Sequence, residues 1–442
     1  MGGVWVWLLA IAPLVVHAFP RWDTRTIDVT GKFWHVTDLH VDFSYRLTED
    51  HTKVCLTSKG ENASNPGVFG DFLCDSPYQL ILSAFQHINK SEQKANFMIW
   101  TGDSMPHLPV NDLSTKMVID MIGNMTTTIR TLLPDLLVYP AFGNHDYWPQ
   151  DQFPVAGSEV YTAAAEFWKP WLNDDALYTL RKGGYYSQIY RSSPSAQPLR
   201  IISLNTNLYY GPNKVTINMT DPAGQFEWLE DTLYASRQHK EKVYIIAHVP
   251  IGFLPYFAFT SAIQKPFNER LVTIFRNYSD VLAGQFYGHI HRDSIMVLLN
   301  EKENPVGSVF IAPSVTPIRP YEESGNNPGF RIYHYDSNTY NLLDLWHYYL
   351  NLTDANLKEE AIWKLEYIMT EIYKIKDLQP DSMEDLVKRF AKPDSLEFKT
   401  YYKNHVVQYE LEDCVGRCKV LQVCSVQYLD SDSYFKCAQE NL

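Results

Sequence analysis

The chain has 442 residues, of which 45% are apolar and 14% aromatic, and its formal net charge at pH 7 is −13. That length and apolar content suffice for a sizeable core in one or two domains. Runs of Lys and Arg are absent, which argues against polymeric nucleic acid as a partner. A negatively charged substrate would therefore depend on metal ions for its attraction, and a small nucleotide or single phosphodiester fits this better than a polymer.

Residues 1–18 predict a secretory signal peptide. An apolar core of about a dozen residues is followed by the small-residue cleavage pattern Val16-His17-Ala18. A membrane anchor is the alternative, but the run is too short to span a bilayer and contains Pro13. No other segment of the sequence predicts a membrane span. We therefore expect a secreted or lysosomal protein without a stable membrane anchor.

Five apolar, β-rich runs each end at a motif that contains Asp, Asn or His. Buried parallel strands have this character. Because open α/β sheets bind ligands at the carboxyl ends of their strands, we expect the five motifs to meet at one rim. The runs and their motifs are GKFWHVT with Asp38-Leu39-His40, NFMIWT with Gly102-Asp103, LLVYPAF with Gly143-Asn144-His145-Asp146, KVYIIA with His248, and VLAGQFY with Gly288-His289-Ile290-His291.

Helical patterns alternate with these strands. Residues 114–133 and 222–238 are amphipathic and predict helices between strands, as crossover connections require. The later runs SVFIAPSV, GFRIYHYD and NLLDLWHYYLNL predict strands that extend the sheet or form a second sheet packed on it. The pattern then changes to helix, first in residues 354–375 and next in SMEDLVKRFAK. The sequence predicts an α/β catalytic domain at 19–350 and a helical C-terminal subdomain at 351–442.

The cysteines form a group of two and a group of four, which in a secreted chain predicts disulfides. Sequence alone leaves about fifteen connectivities open. Proximity along the chain favours one bridge within the first group and two within the second. A zinc site at Cys414 and Cys418 is a minor alternative, because no His/Cys pair has the usual finger spacing. The cysteines are Cys55, Cys74, Cys414, Cys418, Cys424 and Cys437.

Asn-x-Ser/Thr sequons agree with passage through the secretory pathway. Any one of them can arise by chance, but their number indicates a surface that carries N-glycans. The acceptor residues are Asn62, Asn89, Asn124, Asn218, Asn277 and Asn351.

The residue types in the five motifs are those of a two-metal phosphoesterase. Two divalent cations about 3.5–4 Å apart clamp a phosphoryl oxygen, stabilise the attacking and leaving oxygens, and bring bound water to a pKa near 7. One ligand must hold both ions, and Asp103 is the natural bridge. Carboxylate, amide and imidazole ligands suit zinc. We assign Asp38, His40 and His291 to one ion, and Asn144, His248 and His289 to the other.

Three further side chains are predicted to serve the substrate. His145 follows Asn144 directly, so it faces the phosphate, where it would stabilise charge or protonate the leaving oxygen. Asp146 would orient His145, as carboxylates around metal sites often do. His107 is interpreted as a substrate contact, with a residue of the rim as the alternative. The order of all five motifs, each at a strand end, is what argues against chance.

The motifs resemble those of the calcineurin-like metallophosphoesterase superfamily. HVTDLHVD, FLCDSPYQL, IWTGDSMPH, FGNHDYWPQDQ, IIAHVPIG and GQFYGHIHRDS resemble its acid sphingomyelinase family over nearly the whole mature chain. The resemblance implies two packed mixed β-sheets flanked by helices, two zinc ions held by the seven ligands above, and His107 and His145 facing the substrate. It also implies the disulfides Cys55–Cys74, Cys414–Cys418 and Cys424–Cys437.

Differences between this sequence and other branches of the superfamily restrict the expected class of substrate. The DRG element of protein phosphatases is absent, and Pro106 stands where purple acid phosphatases have a metal-binding Tyr. No saposin module precedes Asp38, so we expect a soluble diester rather than an extracted lipid. The resemblance implies hydrolysis of ATP and other nucleoside triphosphates to monophosphates, of CDP-choline and of cGAMP, by attack of a hydroxide bound to both zinc ions.

Two alternatives remain from the sequence. The first is a phosphodiesterase of phospholipid headgroups of the sphingomyelin type, with apolar residues of LPYFAF (254–259) touching the membrane. The second is a binding protein that keeps a metal site as a relic. The intact set of ligands, together with His145, argues against this second alternative.

Overall fold

The structure is a computed structural model that describes residues 1–2, 30–193, 196–255, 259–318, 325–409 and 413–442. Apart from residues 1 and 2, the predicted signal peptide at 1–18 lies outside the described residues, as does 256–258 in LPYFAF. Where the structure describes the chain, no helix has both the length and the apolar character needed to cross a membrane.

Twelve strands and twelve α-helices lie within the described residues. The strands are β1 (Thr30–Val36), β2 (Phe97–Trp100), β3 (Leu137–Pro140), β4 (Tyr186–Tyr190), β5 (Leu199–Ser203), β6 (Lys242–Ile246), β7 (Leu282–Tyr287), β8 (Ser294–Leu299), β9 (Pro305–Ile311), β10 (Gly329–Asp336), β11 (Leu342–Tyr349) and β12 (Lys364–Ile368). The helices are α1 (Tyr78–Lys90), α2 (Thr115–Leu132), α3 (Glu159–Trp168), α4 (Asp174–Gly183), α5 (Gln225–Gln238), α6 (Lys265–Asn277), α7 (Leu352–Lys358), α8 (Met369–Tyr373), α9 (Pro380–Ala391), α10 (Leu396–His405), α11 (Arg417–Gln427) and α12 (Ser431–Asn441).

The first sheet has the strand order β12-β11-β10-β1-β2-β3. β1, β2 and β3 are parallel neighbours, and α1 and α2 make the connections between them. β10 pairs antiparallel with β1 on the other side. Every residue of β2 is buried, which is the environment that its uninterrupted apolar sequence predicts.

The second sheet has the strand order β4-β5-β6-β7-β9-β8. β5, β6, β7 and β9 run parallel, and the edge strands β4 and β8 are antiparallel to their neighbours. The three later apolar runs that were predicted to be strands therefore belong to different sheets. SVFIAPSV contributes β9 to the second sheet, whereas GFRIYHYD and NLLDLWHYYLNL form β10 and β11 of the first.

Aromatic side chains fill the space between the two sheets. Phe33 of β1 lies 5.5 Å from Tyr244 of β6 and 5.2 Å from Phe286 of β7, measured between ring centroids. Tyr333 of β10 stacks on Phe33 at 4.9 Å and meets Phe286 edge-on at the same distance. All four are fully buried. Such contacts add about 0.5–1.5 kcal/mol per pair to the burial of the rings, so they fix the two sheets against each other.

Helices cover the outer face of the first sheet as the amphipathic patterns predict. α2 begins where Ser114 accepts a hydrogen bond from Met117 N, one residue inside the predicted range 114–133. Trp168 of α3 packs on Trp100 of β2 at 6.1 Å and donates its indole N–H to Thr126 of α2 at 3.1 Å. α5 packs on β6 of the second sheet and starts at Gln225, three residues after the predicted 222.

The predicted helix over 354–375 is wrong. The segment instead forms α7, the strand β12 and the short helix α8. β12 pairs antiparallel with β11 at the edge of the first sheet, so edge pairing overrides helical propensity there. The domain boundary between 350 and 351 stays a prediction, but the region beyond it is helical only in part and supplies one strand to the catalytic sheet.

The six cysteines form three disulfides, in the pairing that the resemblance implies: Cys55–Cys74, Cys414–Cys418 and Cys424–Cys437.

The predicted glycan acceptors lie at the surface, with one exception. Asn351 is half-buried and caps α7, because its Oδ1 accepts a hydrogen bond from Asp354 N at 2.9 Å. Glycosylation stays a prediction for the exposed acceptors Asn62, Asn89, Asn124, Asn218 and Asn277 as well.

Candidate active site

The five motifs follow the carboxyl ends of β1, β2, β3, β6 and β7, as predicted. The first three strands belong to one sheet and the last two to the other. The motifs therefore meet where two rims adjoin, rather than along one rim. Backbone hydrogen bonds of 3.0 Å tie the loops together, from Asp38 N to Gly102 O, from His40 N to Asp103 O and from Gly288 N to His248 O.

Most of the predicted metal ligands have an uncommon backbone conformation. A positive φ is rare for residues other than glycine and persists only where the surrounding structure determines it strongly. Its concentration here indicates a site shaped for function. The φ angles are 51° at Asp38, 38° at His40, 58° at Asp103, 74° at His289 and 58° at His291.

Two motif glycines are required by close approach. A Cβ at Gly143 would lie 2.0 Å from Oδ1 of Asp103, and a Cβ at Gly288 would lie 2.1 Å from Oγ1 of Thr37. Both contacts are far below van der Waals distance. Any side chain at either glycine would push the loops that carry Asp38 and Asp103 apart.

Asp38, His40, His291 and Asp103 form the first group of converging donor atoms. His40 Nε2 lies 3.3 Å from Asp103 Oδ2 and 3.8 Å from Asp38 Oδ1. His291 Nε2 lies 3.4 Å from Asp38 Oδ1 and 3.2 Å from His40 Nε2. All four residues are buried.

Asn144, His248 and His289 form a second group around the same carboxylate. His248 Nε2 lies 3.1 Å from Asp103 Oδ2 and 3.0 Å from Asn144 Oδ1. His289 Nδ1 lies 2.9 Å from that same amide oxygen. The Oδ2 atom of Asp103 therefore adjoins both groups.

The donor set fits divalent cations. Bonds of about 2.0 Å at tetrahedral angles place neighbouring ligand atoms roughly 3.3 Å apart, which matches the separations in both groups. Asp38, His40 and Asp103 offer one such cluster, and His107 joins His40 and His291 in another, with ligand atoms within 4.8 Å of one another in each. Buried carboxylates packed among imidazoles without a cation would be costly.

The electrostatics of the site also favour positive charge. Burial alone would raise the pKa of Asp103, but the charges of His248 and neighbouring histidines outweigh burial and hold that pKa well below its usual value. Burial lowers the pKa of His248, yet Asp103 and Asp38 outweigh it and raise the pKa to about 9. The carboxylates thus draw protons into the site, and metal ions would displace those protons.

Carbonyl and carboxylate groups hold the side chains of the predicted ligands in place. His40 Nδ1 donates to Met105 O at 2.6 Å, and His248 Nδ1 donates to Thr101 O at 2.7 Å. In both rings Nε2 is left with its lone pair for a metal. Asn144 Nδ2 donates to Asp151 Oδ1 at 2.8 Å, which turns the amide oxygen toward His248. Asp151 lies seven residues after Asn144 in the same loop, but no motif of the sequence assigns it this role.

His107 and His145 lie side by side over the first group of ligands. The centroid of the His107 ring is 4.1 Å from that of His40 and 4.4 Å from that of His145. The His145 backbone N–H donates to Asp103 Oδ1 at 2.9 Å. Burial, reinforced by the nearby His107, lowers the pKa of His145 well below its usual value.

Asp146 does not have the predicted position beside the His145 ring. Its Oδ2 accepts from the backbone N–H groups of Asp103 and Gly143, both at 2.9 Å, and its Oδ1 accepts from Ser104 N at 2.8 Å. Both oxygens are therefore committed to the backbone of the ligand loops. The expectation that Asp146 orients His145 is corrected: Asp146 joins the Gly102 and Gly143 loops.

The two groups of donors open into a cavity of about 790 Å³ that His107 and His145 also line. Pockets for small molecules and cofactors commonly measure about 300–1,000 Å³. Among the described residues of its wall, Lys59 is the one Lys or Arg. Tyr210 also lines the cavity, and its ring meets His289 edge-on at 4.9 Å.

Two family models match the chain. The calcineurin-like phosphoesterase model covers residues 31–293, and the model of the acid sphingomyelin phosphodiesterase C-terminal region covers residues 304–442. The protein belongs to the calcineurin-like phosphoesterase family, in its acid sphingomyelinase-like branch. The predicted family and fold class are thereby confirmed, and this fold implies a divalent metal site.

The curated relatives are phosphodiesterases. The chain is 60% identical over 412 residues to cyclic GMP-AMP phosphodiesterase SMPDL3A of Homo sapiens, covering 93% of this chain and 90% of the relative. Identity to the Mus musculus protein of the same name is 59% over 414 residues, covering 93% and 92%. Acid sphingomyelinase-like phosphodiesterase 3b of Homo sapiens is 38% identical over 411 residues, covering 92% and 90%. The chain is accordingly an enzyme, a metallophosphoesterase that hydrolyses phosphodiesters.

Proposed function

We propose that the protein is a zinc-dependent phosphodiesterase of soluble nucleotides, acting on nucleoside triphosphates, CDP-choline and cGAMP. The observation that carries the proposal is the position of Asp103 Oδ2, which lies 3.3 Å from His40 Nε2 and 3.1 Å from His248 Nε2. A carboxylate oxygen shared by two groups of nitrogen and oxygen donors is what a two-metal phosphoesterase requires.

Asp38, His40 and His291 would hold one ion, Asn144, His248 and His289 the other, with Asp103 between them. When bound, the two ions supply a nucleophile from water and neutralise charge on the phosphoryl oxygens. The mixed imidazole, amide and carboxylate donors suit zinc better than magnesium, which prefers oxygen ligands.

His107 and His145 would act on the substrate directly. Both line the cavity, and their ring centroids are 4.4 Å apart. A phosphoryl group above the first group of ligands would meet both rings. His145 would stabilise the developing charge or donate a proton to the leaving oxygen. Asp146 contributes indirectly, because it fixes the backbone at Asp103 and Gly143.

Three features support a nucleotide as substrate. The cavity is larger than one phosphate needs, Tyr210 offers an aromatic surface beside His289, and Lys59 offers a cation on the wall. Relatives that are named cyclic GMP-AMP phosphodiesterases share about 60% of the sequence. Disulfides, the predicted signal peptide at 1–18 and the sequons also support a secreted or lysosomal glycoprotein.

A phospholipid headgroup of the sphingomyelin type is the second candidate substrate. Leu254 lines the cavity, and Phe259, at the other end of LPYFAF, is 40% exposed, so this segment offers apolar surface. Acid sphingomyelinase-like phosphodiesterase 3b also matches the chain, at lower identity. The more similar relatives favour nucleotides.

A substrate panel tests the proposal. Purified, metal-analysed protein is assayed with ATP, CDP-choline, cGAMP and sphingomyelin micelles, and Asp103→Asn protein from the same preparation controls for contaminating hydrolases. We expect a higher kcat/KM on each soluble nucleotide than on micelles, with no hydrolysis by the variant. Hydrolysis of micelles alone would replace the proposal with the lipid alternative.

A further inference from the structure

Asp75 lies directly behind His107 and has no exposed surface. Its Oδ2 accepts the His107 backbone N–H at 2.6 Å and the ring Nδ1–H at 3.0 Å. Its Oδ1 accepts from Thr316 Oγ1 at 3.0 Å. One buried carboxylate therefore holds both the backbone and the ring of a histidine that lines the cavity.

The contact decides which ring nitrogen of His107 serves the cavity. A carboxylate only accepts hydrogen bonds, so Nδ1 carries the proton that it donates to Asp75. Nε2 is left for the cavity side of the ring, where His40 and His291 each present a nitrogen within 4.8 Å of a His107 nitrogen. Without Asp75 the ring could rotate about its χ angles and exchange its two nitrogens.

Asp75 is itself held rigidly. Its backbone N–H donates to Thr57 Oγ1 at 3.0 Å, and it follows Cys74, which is bonded to Cys55. The next residue, Ser76, donates its backbone N–H to His40 O at 3.0 Å. The disulfide on one side of this carboxylate and the hydrogen bond to the His40 loop on the other give His107 a fixed support.

We propose that Asp75 is a positioning residue for phosphodiester cleavage, which holds His107 with Nε2 toward an oxygen of the reacting phosphoryl group. The proposal rests on the function proposed above, because it places the substrate in the cavity beside His107. Removal of a carboxylate that orients a metal-bound histidine typically costs about 10–100-fold in activity, and we expect the same range for a carboxylate that orients His107. Asp75→Asn should lower kcat by that factor.

A double-mutant cycle separates this role from simple support of the fold. The variants are Asp75→Asn, His107→Gln and the two combined, assayed for kcat and KM on bis(p-nitrophenyl) phosphate, with zinc content measured in each. If Asp75 acts through His107, Asp75→Asn costs nothing further in the His107→Gln background. The loss should fall on kcat more than on KM, and zinc content should stay that of the unmodified protein.

Asp71→Asn is the matched control. Asp71 is also a buried carboxylate of the Cys55–Cys74 loop, but it accepts from the backbone N–H groups of Asn65 and Leu73. We expect it to lower the melting temperature while kcat stays near that of the unmodified protein. If Asp75→Asn does not fold, Thr316→Val, which removes a hydrogen-bond donor to Asp75, takes its place and is combined with His107→Gln in the same way.

Two results would overturn the proposal. One is a full, additive loss from Asp75→Asn in the His107→Gln background. The other is a kcat for Asp75→Asn no lower than that of Asp71→Asn. Bis(p-nitrophenyl) phosphate reports diester cleavage whatever the natural substrate is. If none of the nucleotides in the panel is hydrolysed, the proposed function is wrong, but the double-mutant cycle still tests the role of Asp75.

Discussion

The backbone N–H of His145 donates to Oδ1 of Asp103 over 2.9 Å. One oxygen of this carboxylate is thereby engaged, and Oδ2 is left between His40 and His248. The same bond fixes the start of the loop that carries Asn144 and His145. Asp103 thus sets the geometry of both donor groups and of the histidine beside them.

Asp103→Asn should therefore damage the enzyme more than loss of any single histidine ligand. The amide weakens the charge that both groups share, whereas His248→Ala or His291→Ala removes a ligand from one group only. We expect metal analysis to find less zinc in Asp103→Asn than in either histidine variant, with a lower kcat. Equal zinc content in all three would show that Asp103 is not shared.

His145→Ala should leave zinc content and folding near normal and lower kcat by about 10²–10⁴, the range for a lost general acid. The loss should shrink for p-nitrophenyl diesters, because that leaving oxygen needs little protonation. Matched assays on an alkyl and a p-nitrophenyl diester check this. An equal loss on both would assign His145 to electrostatic stabilisation instead of proton transfer.

The cleavage position is a separate prediction. Lys59 belongs to the loop closed by Cys55–Cys74 and lines the same cavity as Asp103 and Asn144, so it offers a cation to the distal phosphates of a triphosphate. The phosphorus nearest the nucleoside would then lie at the metals. ATP should give AMP and pyrophosphate, which chromatography resolves. ADP and orthophosphate as first products would instead indicate a terminal phosphatase.

Much of this site could be predicted from sequence because its parts are local. Each motif follows a short apolar run rich in β-branched and aromatic residues, and that composition favours a strand over a buried helix. Asp38, Asp103 and His248 could thus be placed at strand ends without any structure. The sheet to which each strand belongs depends on which strands pair. Pairing joins residues far apart in the chain, so the local sequence pattern does not predict it.

The errors have the same physical origin. KLEYI forms β12 because β11 has a free edge with which it can pair. The sequence of the segment itself has a helical pattern and does not indicate that edge. Asp146 was assigned to its neighbour His145, but adjacent side chains diverge, and its carboxylate reaches the backbone of Asp103 instead. Asp75 is 32 residues from His107 along the chain, so only folding brings the two together.

Stability should fall in acid partly because of His405. Burial, reinforced by the charge of Arg292, lowers the pKa of His405 to about 3, against 6.5 when unfolded. The unfolded chain therefore binds more protons between these values, and the free energy of unfolding decreases as pH falls through this window.

His405→Gln removes that titration, so the melting temperature of this variant should fall less steeply as pH decreases below 6.5. His239→Gln, at an exposed histidine, should leave the profile unchanged. An acid limb as steep in His405→Gln as in the unmodified protein would show that His405 titrates normally.

The number of zinc ions needed to restore activity distinguishes a two-metal site from a one-metal site. Protein stripped with a chelator is titrated with zinc while bound metal and hydrolysis of a nucleotide diester are measured in the same samples. We predict no activity in the stripped protein and full recovery at two zinc ions per chain. Activity that survives complete removal of metal, or that is fully restored by one ion, would contradict a two-metal site bridged by Asp103.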